Sequence, residues 1–176
     1  MQIQPSTTVS DLVVNRSDDH SNLDILDEWA RLIGAQKRPV LITACGDVFV
    51  EDLVDKTIHF LDISAPELSP VADSATALEA LFANPSFVGT FLHPERVALL
   101  RDQGLRLKKD QVYSFCTPLS LGGEVTVENT EITDVDVHFS LTGQVERQLA
   151  DVAAGDAISA IKIHSLPTER AWWKFW

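Results

Sequence analysis

The sequence has few cysteines and no long apolar run, and each shortage excludes a class of protein. Cys45 and Cys116 are the only cysteines among 176 residues, too few for a disulfide scaffold and without the close partners of a structural zinc site. Both are expected to be buried free thiols. No run approaches the roughly 20 apolar residues of a membrane-spanning helix, and residues 1–14 lack the basic head and apolar stretch of a secretory signal. The simplest expectation is a cytoplasmic protein without membrane contact.

Basic residues are also scarce. Fourteen Lys and Arg stand against 26 Asp and Glu, for a formal net charge of -12. Such a balance repels nucleic-acid phosphates, so direct nucleic-acid binding is not expected. It would steer a cationic protein partner toward the chain, although acidity can also serve solubility alone. The acids concentrate in residues 45–80 and 111–156, whereas residues 96–109 carry five bases: Arg96, Arg101, Arg106, Lys108 and Lys109.

Sequence motifs of catalysis are absent. The chain has no Gly-x-Ser-x-Gly elbow, no phosphate-binding loop ending in Lys-Ser or Lys-Thr, and no His-Glu-x-x-His helix. His59, His93 and His164 are scattered without partners at ligand spacing. We therefore expect no enzyme activity and no cofactor.

Local patterns predict a mixed order of helices and strands within one domain over residues 21–176, after a polar lead-in at 1–20. A helix is expected at Asn22 to Ile33, since Leu23, Leu26, Ala30 and Ile33 recur at helical spacing. Further helices are expected after the capping residue Ser74, around residues 87–92, from Pro94, and over 144–152. Strands, with neighbours antiparallel, are expected at 40–44, 48–50, 57–63, 71–72, from Val112, and at 124–127, 132–141 and 158–163.

One predicted strand carries a candidate polar site. Between Ile132 and Leu141, apolar residues alternate with Asp134, Asp136 and His138, which would share one strand face. Residues two apart on a strand are roughly 6.6 to 6.8 Å apart, so these side chains could hold a divalent metal only by converging over that distance. The pattern leaves two readings open, a solvated polar face or the metal site of a hydrolase.

The C-terminal segment, residues 171–176, is rich in aromatic side chains: Trp172, Trp173, Phe175 and Trp176. Each large aromatic side chain can bury on the order of 150 to 250 Å². The tail is therefore expected either to pack onto its own domain or to mediate self-association or a partner contact.

Three stretches carry a family resemblance: residues 43–49 with 58–62, residues 121–124 with 127–129, and residues 137–141 with Gly143 and Gln144. With them the chain resembles, from Ile42 to Leu149, the C-terminal domain of type VI secretion immunity proteins, within or close to the SUKH superfamily. The resemblance implies an α+β fold, with a curved, mainly antiparallel sheet flanked by helices. It also implies binding and neutralisation of a toxic effector, often a nuclease, and it offers no catalytic residues.

The partner-binding residues proposed from the sequence are the acids of the strand-rich regions and one histidine: Glu51, Asp52, Asp55, Glu124, Glu128, Asp134, Asp136 and His138. The alternatives to an immunity protein are an interaction or regulatory module of the same fold, or a metal-dependent hydrolase built on Asp134, Asp136 and His138.

Overall fold

Four consecutive antiparallel strands form the central sheet in the computed structural model, which describes residues 8–14, 24–152 and 160–164. Each strand pairs with the next along the chain. The strands are β1 Lys37–Ile42, β2 Val48–Asp52, β3 Ile58–Asp62 and β4 Glu67–Ala72. The predicted antiparallel sheet is therefore confirmed, and the short fourth strand extends over six residues.

Helices cover both faces of this sheet. On one face, Val48 and Val50 of β2 pack with Trp29 and with Phe139. Trp29 ends a 3-10 helix, Asp24–Trp29, which continues into α1, Ala30–Ile33. The predicted helix is thus 3-10 over six residues and α-helical over the last four.

The opposite face of the sheet carries an aromatic core. Phe49 of β2 is fully buried and contacts the rings of four phenylalanines: Phe60, Phe82, Phe87 and Phe91. Three helices cover this side, α2 Ala75–Leu81, α3 Pro85–Leu92 and α4 Pro94–Asp102. The fold is α+β, as predicted, with the sheet between two helical layers.

Local signals set where these three helices begin. Ser74 caps α2 by accepting a hydrogen bond from the backbone N–H of Ala77 at 3.2 Å, and Asn84 accepts one from Ser86 at 2.9 Å. Pro85 and Pro94 occupy first-turn positions, where a missing N–H costs nothing. The predicted cap at Ser74 and the predicted helix start at Pro94 are confirmed.

The second β region differs from the prediction. It contains two paired antiparallel strands, β5 Gln111–Phe115 and β6 Thr130–Asp134. The predicted strand at 124–127 is a non-strand loop segment, and the predicted strand 132–141 ends at Asp134, where α5, Val135–Leu149, begins. The predicted helix over 144–152 is the last part of this helix.

Helix α5 buries positions spaced three to four apart, including Val135, His138, Phe139 and Val145. Over the short stretch 135–141, alternating apolar residues fit a strand period as well as a helix period, and packing against Asp24–Trp29 decides for the helix.

The predictions for the end of the chain are only partly covered by the description. Residues 160–164 are not in a strand, and the rest of the predicted strand 158–163, like the aromatic tail from Trp172 to Trp176, lies outside the described residues. Within the described part of the chain, no helix has the length and apolar character needed to cross a bilayer.

Candidate partner-binding surface

The predicted site residues of strand β2 are largely compensated by neighbours on β1. Glu51 is only 6% exposed and pairs with Arg38, while Asp52 pairs with Lys37. These pairs follow the antiparallel register of β1 and β2, which places each cation opposite its carboxylate. Of the predicted acids in this region, Asp55 is the one that lies on the open surface.

Asp55 belongs to the β2–β3 turn, residues 53–57, which is held by its own side chains. Asp52 accepts a hydrogen bond from the N–H of Val54 at 2.7 Å, and Asp55 accepts one from Thr57 at 2.9 Å. The Lys37 ammonium and the backbone N–H groups of Val54 and Asp55 lower the pKa of Asp52 to about 2. Val54 is 75% exposed at this turn. The turn thus presents an apolar side chain beside a carboxylate.

The β5–β6 loop, residues 116–129, has the same character at a larger size. Its exposed residues include Glu124, Glu128 and Val125, which is 63% exposed. Asn129 ties the loop together: its amide nitrogen donates to the carbonyls of Thr117 and Glu124 at 2.9 Å each, and its oxygen accepts from the Thr117 N–H at 2.8 Å. The loop therefore displays two carboxylates and an apolar side chain from an ordered backbone.

Packing at the base reinforces this loop. The Arg96 guanidinium of α4 lies 4.3 Å from the ring centroid of Phe115, a cation–π contact. Gly123 passes so close to the Thr117 carbonyl oxygen that an added Cβ would lie 1.9 Å from it. Gly122 and Gly123, which belong to one of the stretches that carry the family resemblance, thus allow the loop backbone to pack closely.

The β2–β3 turn and the β5–β6 loop lie toward opposite ends of strand β2. The N–H of Tyr113 on β5 donates to the Ala44 carbonyl at 2.8 Å, which places β5 beside the chain segment entering β2. The turn at Asp55 follows the other end of this five-residue strand, and at about 3.3 Å per residue the strand alone is about 16 Å long. The β2–β3 turn and the β5–β6 loop therefore lie apart along the sheet, whereas Ser64 and Pro66, also from the first acidic stretch, line one pocket with Pro118 of the loop.

The predicted exposure of His138 is wrong. His138 is 3% exposed, and both ring nitrogens are engaged, Nδ1 with Ser114 Oγ at 2.9 Å and Nε2 with the Gly46 carbonyl at 3.2 Å. Because a carbonyl oxygen only accepts, Nε2 carries the proton and Nδ1 accepts from the serine hydroxyl. Burial lowers the pKa of His138 to about 4, so the ring is neutral at pH 7.

His138 also explains a glycine in the turn before β2. Gly46 has φ +91, and a Cβ at that position would lie 2.4 Å from Nε2 of His138. The turn therefore needs glycine both for its backbone conformation and for the approach of the imidazole. The histidine thus links α5 to the turn before β2, which lies 92 positions earlier in the sequence.

The hydrolase hypothesis loses its geometric basis once His138 faces the interior. Asp134 precedes α5 and its carboxylate accepts a hydrogen bond from Gln111 at 3.5 Å. Asp136 lies in the first turn of the helix. A search of the described residues finds no group of three or more His, Cys, Asp or Glu side chains placed to hold a metal ion.

A neutral histidine accepting from a serine hydroxyl is an arrangement that can activate a nucleophile. Here, however, the adjoining pocket, lined in part by Cys45, Ser114 and His138, has a volume of about 30 Å³. That is room for about one water molecule, whereas small-molecule sites are about 300 to 1,000 Å³. Burial also raises the pKa of Cys45 to about 12, which keeps this thiol protonated. The cluster of Cys45, Ser114 and His138 therefore contributes to packing between α5 and the strands.

The two cysteines differ in exposure. Cys45 is buried, as predicted, but Cys116 is exposed because it begins the β5–β6 loop. Sequence reasoning also missed the exposed side chains of Val54 in the β2–β3 turn and Val125 in the β5–β6 loop. The one sequence signal for the loop was the pairing of Gly122-Gly123 with Asn129, since glycine and asparagine favour turns.

Comparison with known families and structures gives one family match and a related fold. Residues 72–146 match the family described as T6SS immunity protein Tdi1, C-terminal. This segment extends from the end of β4 into α5 and includes the whole β5–β6 loop. No curated protein sequence matches the chain.

A solved structure with a similar fold is that described as the crystal structure of Atu4351 from Agrobacterium tumefaciens. It has a TM-score of 0.52 and 21% sequence identity over 70% of this chain and 64% of that chain. The match thus spans less than two thirds of the solved protein, and at this identity it shows the fold alone. The family resemblance seen in the sequence is confirmed over part of the chain: residues 72–146 match the C-terminal domain of the T6SS immunity protein Tdi1 family.

Proposed function

We propose that this protein is an immunity protein that binds a cognate secreted toxin in the cytoplasm and neutralises it without turning over a substrate. The observation that carries the proposal is the family match over residues 72–146, which contains the ordered, exposed β5–β6 loop. The net charge of -12 adds to it, because a strongly acidic protein attracts a cationic partner over long distances.

The β5–β6 loop has the chemistry of a docking element. Val125 supplies an apolar contact, and Glu124 and Glu128 supply negative charge on either side of it. Because Asn129 already orders the backbone, binding would cost little conformational entropy. The β2–β3 turn, with Val54 and Asp55, offers a second contact of the same type.

A nuclease is the toxin class that best fits this surface. An enzyme that acts on nucleic acid must present a basic surface to the phosphate backbone. An acidic loop can occupy such a surface in place of the phosphates, and the same charge rejects partners that are themselves acidic. The proposal is therefore inhibition by occupation of a cationic substrate site.

Charge reversal in the loop tests the proposal. The chain would be co-expressed with the product of the adjacent gene, and binding measured by co-purification and calorimetry. Glu124→Lys with Glu128→Lys is expected to weaken binding roughly 100-fold, at about 1.4 kcal/mol per reversal, and to restore toxicity. The matched control, Glu79→Lys with Asp102→Lys, reverses two exposed acids outside the loop and should stay within a few-fold of the natural chain.

The outcomes separate the two parts of the proposal. Failure of the natural chain to bind the toxin or protect the cell would overturn the immunity function. Binding by the loop variant at unchanged affinity would leave immunity standing and exclude the β5–β6 loop as the contact.

A further inference from the structure

A basic groove lies apart from the acidic loop. It has a volume of about 500 Å³ and is formed by residues 10–14, the end of α4, the segment after it and the start of β5. Its lining contains four cationic side chains, Arg101, Arg106, Lys108 and Lys109. A volume of this size is in the range of binding clefts.

Within the described part of the chain, most of this positive charge is not paired with a carboxylate. The carboxylate in the lining, Asp11, pairs with Arg101 at 3.0 Å. Arg106, Lys108 and Lys109 are exposed, and none of them forms an ion pair with a described residue. In a chain with a net charge of -12, this is a local field of the opposite sign.

The groove suits carboxylates better than nucleic acid. Proteins that hold single-stranded nucleic acid combine positive charge with aromatic side chains on which bases stack. The aromatic residue in this lining, Tyr113, is 1% exposed, and its hydroxyl donates to the Leu105 carbonyl at 2.8 Å. The chain's overall acidity also repels a dense polyanion at long range more than it repels a few carboxylates.

We propose that the groove binds an extended acidic segment of a partner protein, whose Asp and Glu side chains pair with Arg106, Lys108 and Lys109. This inference does not depend on toxin neutralisation, because it uses neither the β5–β6 loop nor the β2–β3 turn.

Fluorescence anisotropy with a labelled ten-residue glutamate peptide tests the inference on the full chain. Saturable binding is expected at low ionic strength, and it should weaken as salt screens the ion pairs. Lys108→Glu with Lys109→Glu should weaken it about tenfold, because two ion pairs are lost and like charges now face the peptide. The matched control, Lys56→Glu with Lys162→Glu, makes the same charge change at exposed residues outside the groove.

Far-UV circular dichroism and thermal unfolding establish that both double variants are folded, and Arg106→Ala gives a second, milder change in the groove. Absence of saturable peptide binding to the natural chain would overturn the inference. Equal weakening by the groove and control pairs would do so too, by showing a nonspecific charge effect. Tighter binding of a ten-nucleotide thymidine strand than of the peptide would replace the acidic segment with nucleic acid.

Discussion

At the scale of single residues, Asp47 and His138 lie beside the same turn and carry pKa shifts in opposite directions. Burial raises the pKa of Asp47 from 3.8 to about 7, although the carboxylate accepts a hydrogen bond from the Ile63 N–H at 2.9 Å. Asp62 raises it further and Arg96 opposes the rise. Burial lowers the pKa of His138 from 6.5 to about 4. Both groups therefore favour their neutral forms in the folded protein.

These shifts predict opposing effects of pH on stability. The contribution of neutral Asp47 is full below pH 3.8 and is lost as pH rises through about 7. The contribution of neutral His138 to folding stability is full above pH 6.5 and is lost as pH falls through about 4. Relative to the natural chain, Asp47→Asn should therefore gain stability from pH 4 to 6.5, and His138→Asn should lose it over that window.

Urea unfolding at half-unit pH intervals between 4 and 7 measures this. Asn at position 47 keeps an acceptor for the Ile63 N–H, and Asn at 138 keeps one for the Ser114 hydroxyl, so each variant removes the titration with the smallest change in hydrogen bonding. Stability differences that do not change with pH in either variant would contradict the assigned protonation states.

At the scale of elements, helix α5 is held by close approach to the 3-10 helix Asp24–Trp29. The indole N–H of Trp29 donates to the Phe139 carbonyl at 3.0 Å. Gly143 permits the approach, because an added Cβ would lie 2.5 Å from Cβ of Glu28 and 2.9 Å from Nε1 of Trp29. The glycine in the middle of α5 thus serves packing at the expense of helix propensity.

Two identical substitutions should therefore have opposite effects. Gly143→Ala is expected to destabilise the fold by about 1–3 kcal/mol, because overpacking outweighs the better helix propensity of alanine. Gly89→Ala in α3, where nothing lies within 4 Å of the added Cβ, should stabilise it by up to about 1 kcal/mol. Urea denaturation gives both values, and a neutral or stabilising Gly143→Ala would mean that α5 does not pack this closely.

The elements that could be predicted from the sequence are those with local signals. The cap at Ser74 and the first-turn proline at Pro94 set helix starts, and short β-rich runs between turns gave β1 to β4. The end of β6 had no such signal. The choice between strand and helix after Asp134 depends on contacts of Val135 and Phe139 with residues more than 80 positions earlier in the chain.

At the scale of the whole molecule, the sequence indicated where charge lies along the chain but not which charges share a surface. Antiparallel pairing placed Lys37 and Arg38 against Asp52 and Glu51, which removes part of the predicted acidic site. The same folding brings Asp11 to Arg101 at the basic groove, across 90 positions of sequence. Long-range pairing of this kind leaves no local pattern, so these ion pairs emerge only from the fold.

The remaining excess of acid predicts the response of stability to salt. A net charge of -12 repels itself in the folded state, and salt screens that repulsion. Exposed ion pairs such as Arg31–Asp151 are also weakened by salt, but each contributes little. Raising NaCl from 20 to 300 mM, approximate limits chosen so that the Debye length falls below about 8 Å, should therefore raise the Tm by about 2–4 °C, equivalent to about 1 kcal/mol.

The charge-reversal variants should differ in how strongly their Tm depends on salt. Each Lys→Glu change adds two negative charges, so the groove variant Lys108→Glu with Lys109→Glu goes from -12 to -16, and its Tm should rise more with salt. Each Glu→Lys change removes two, so the loop variant Glu124→Lys with Glu128→Lys goes from -12 to -8, and its Tm should rise less. Differential scanning calorimetry of the three proteins gives the order, and a Tm that falls with salt in all of them would show that ion pairs outweigh net repulsion.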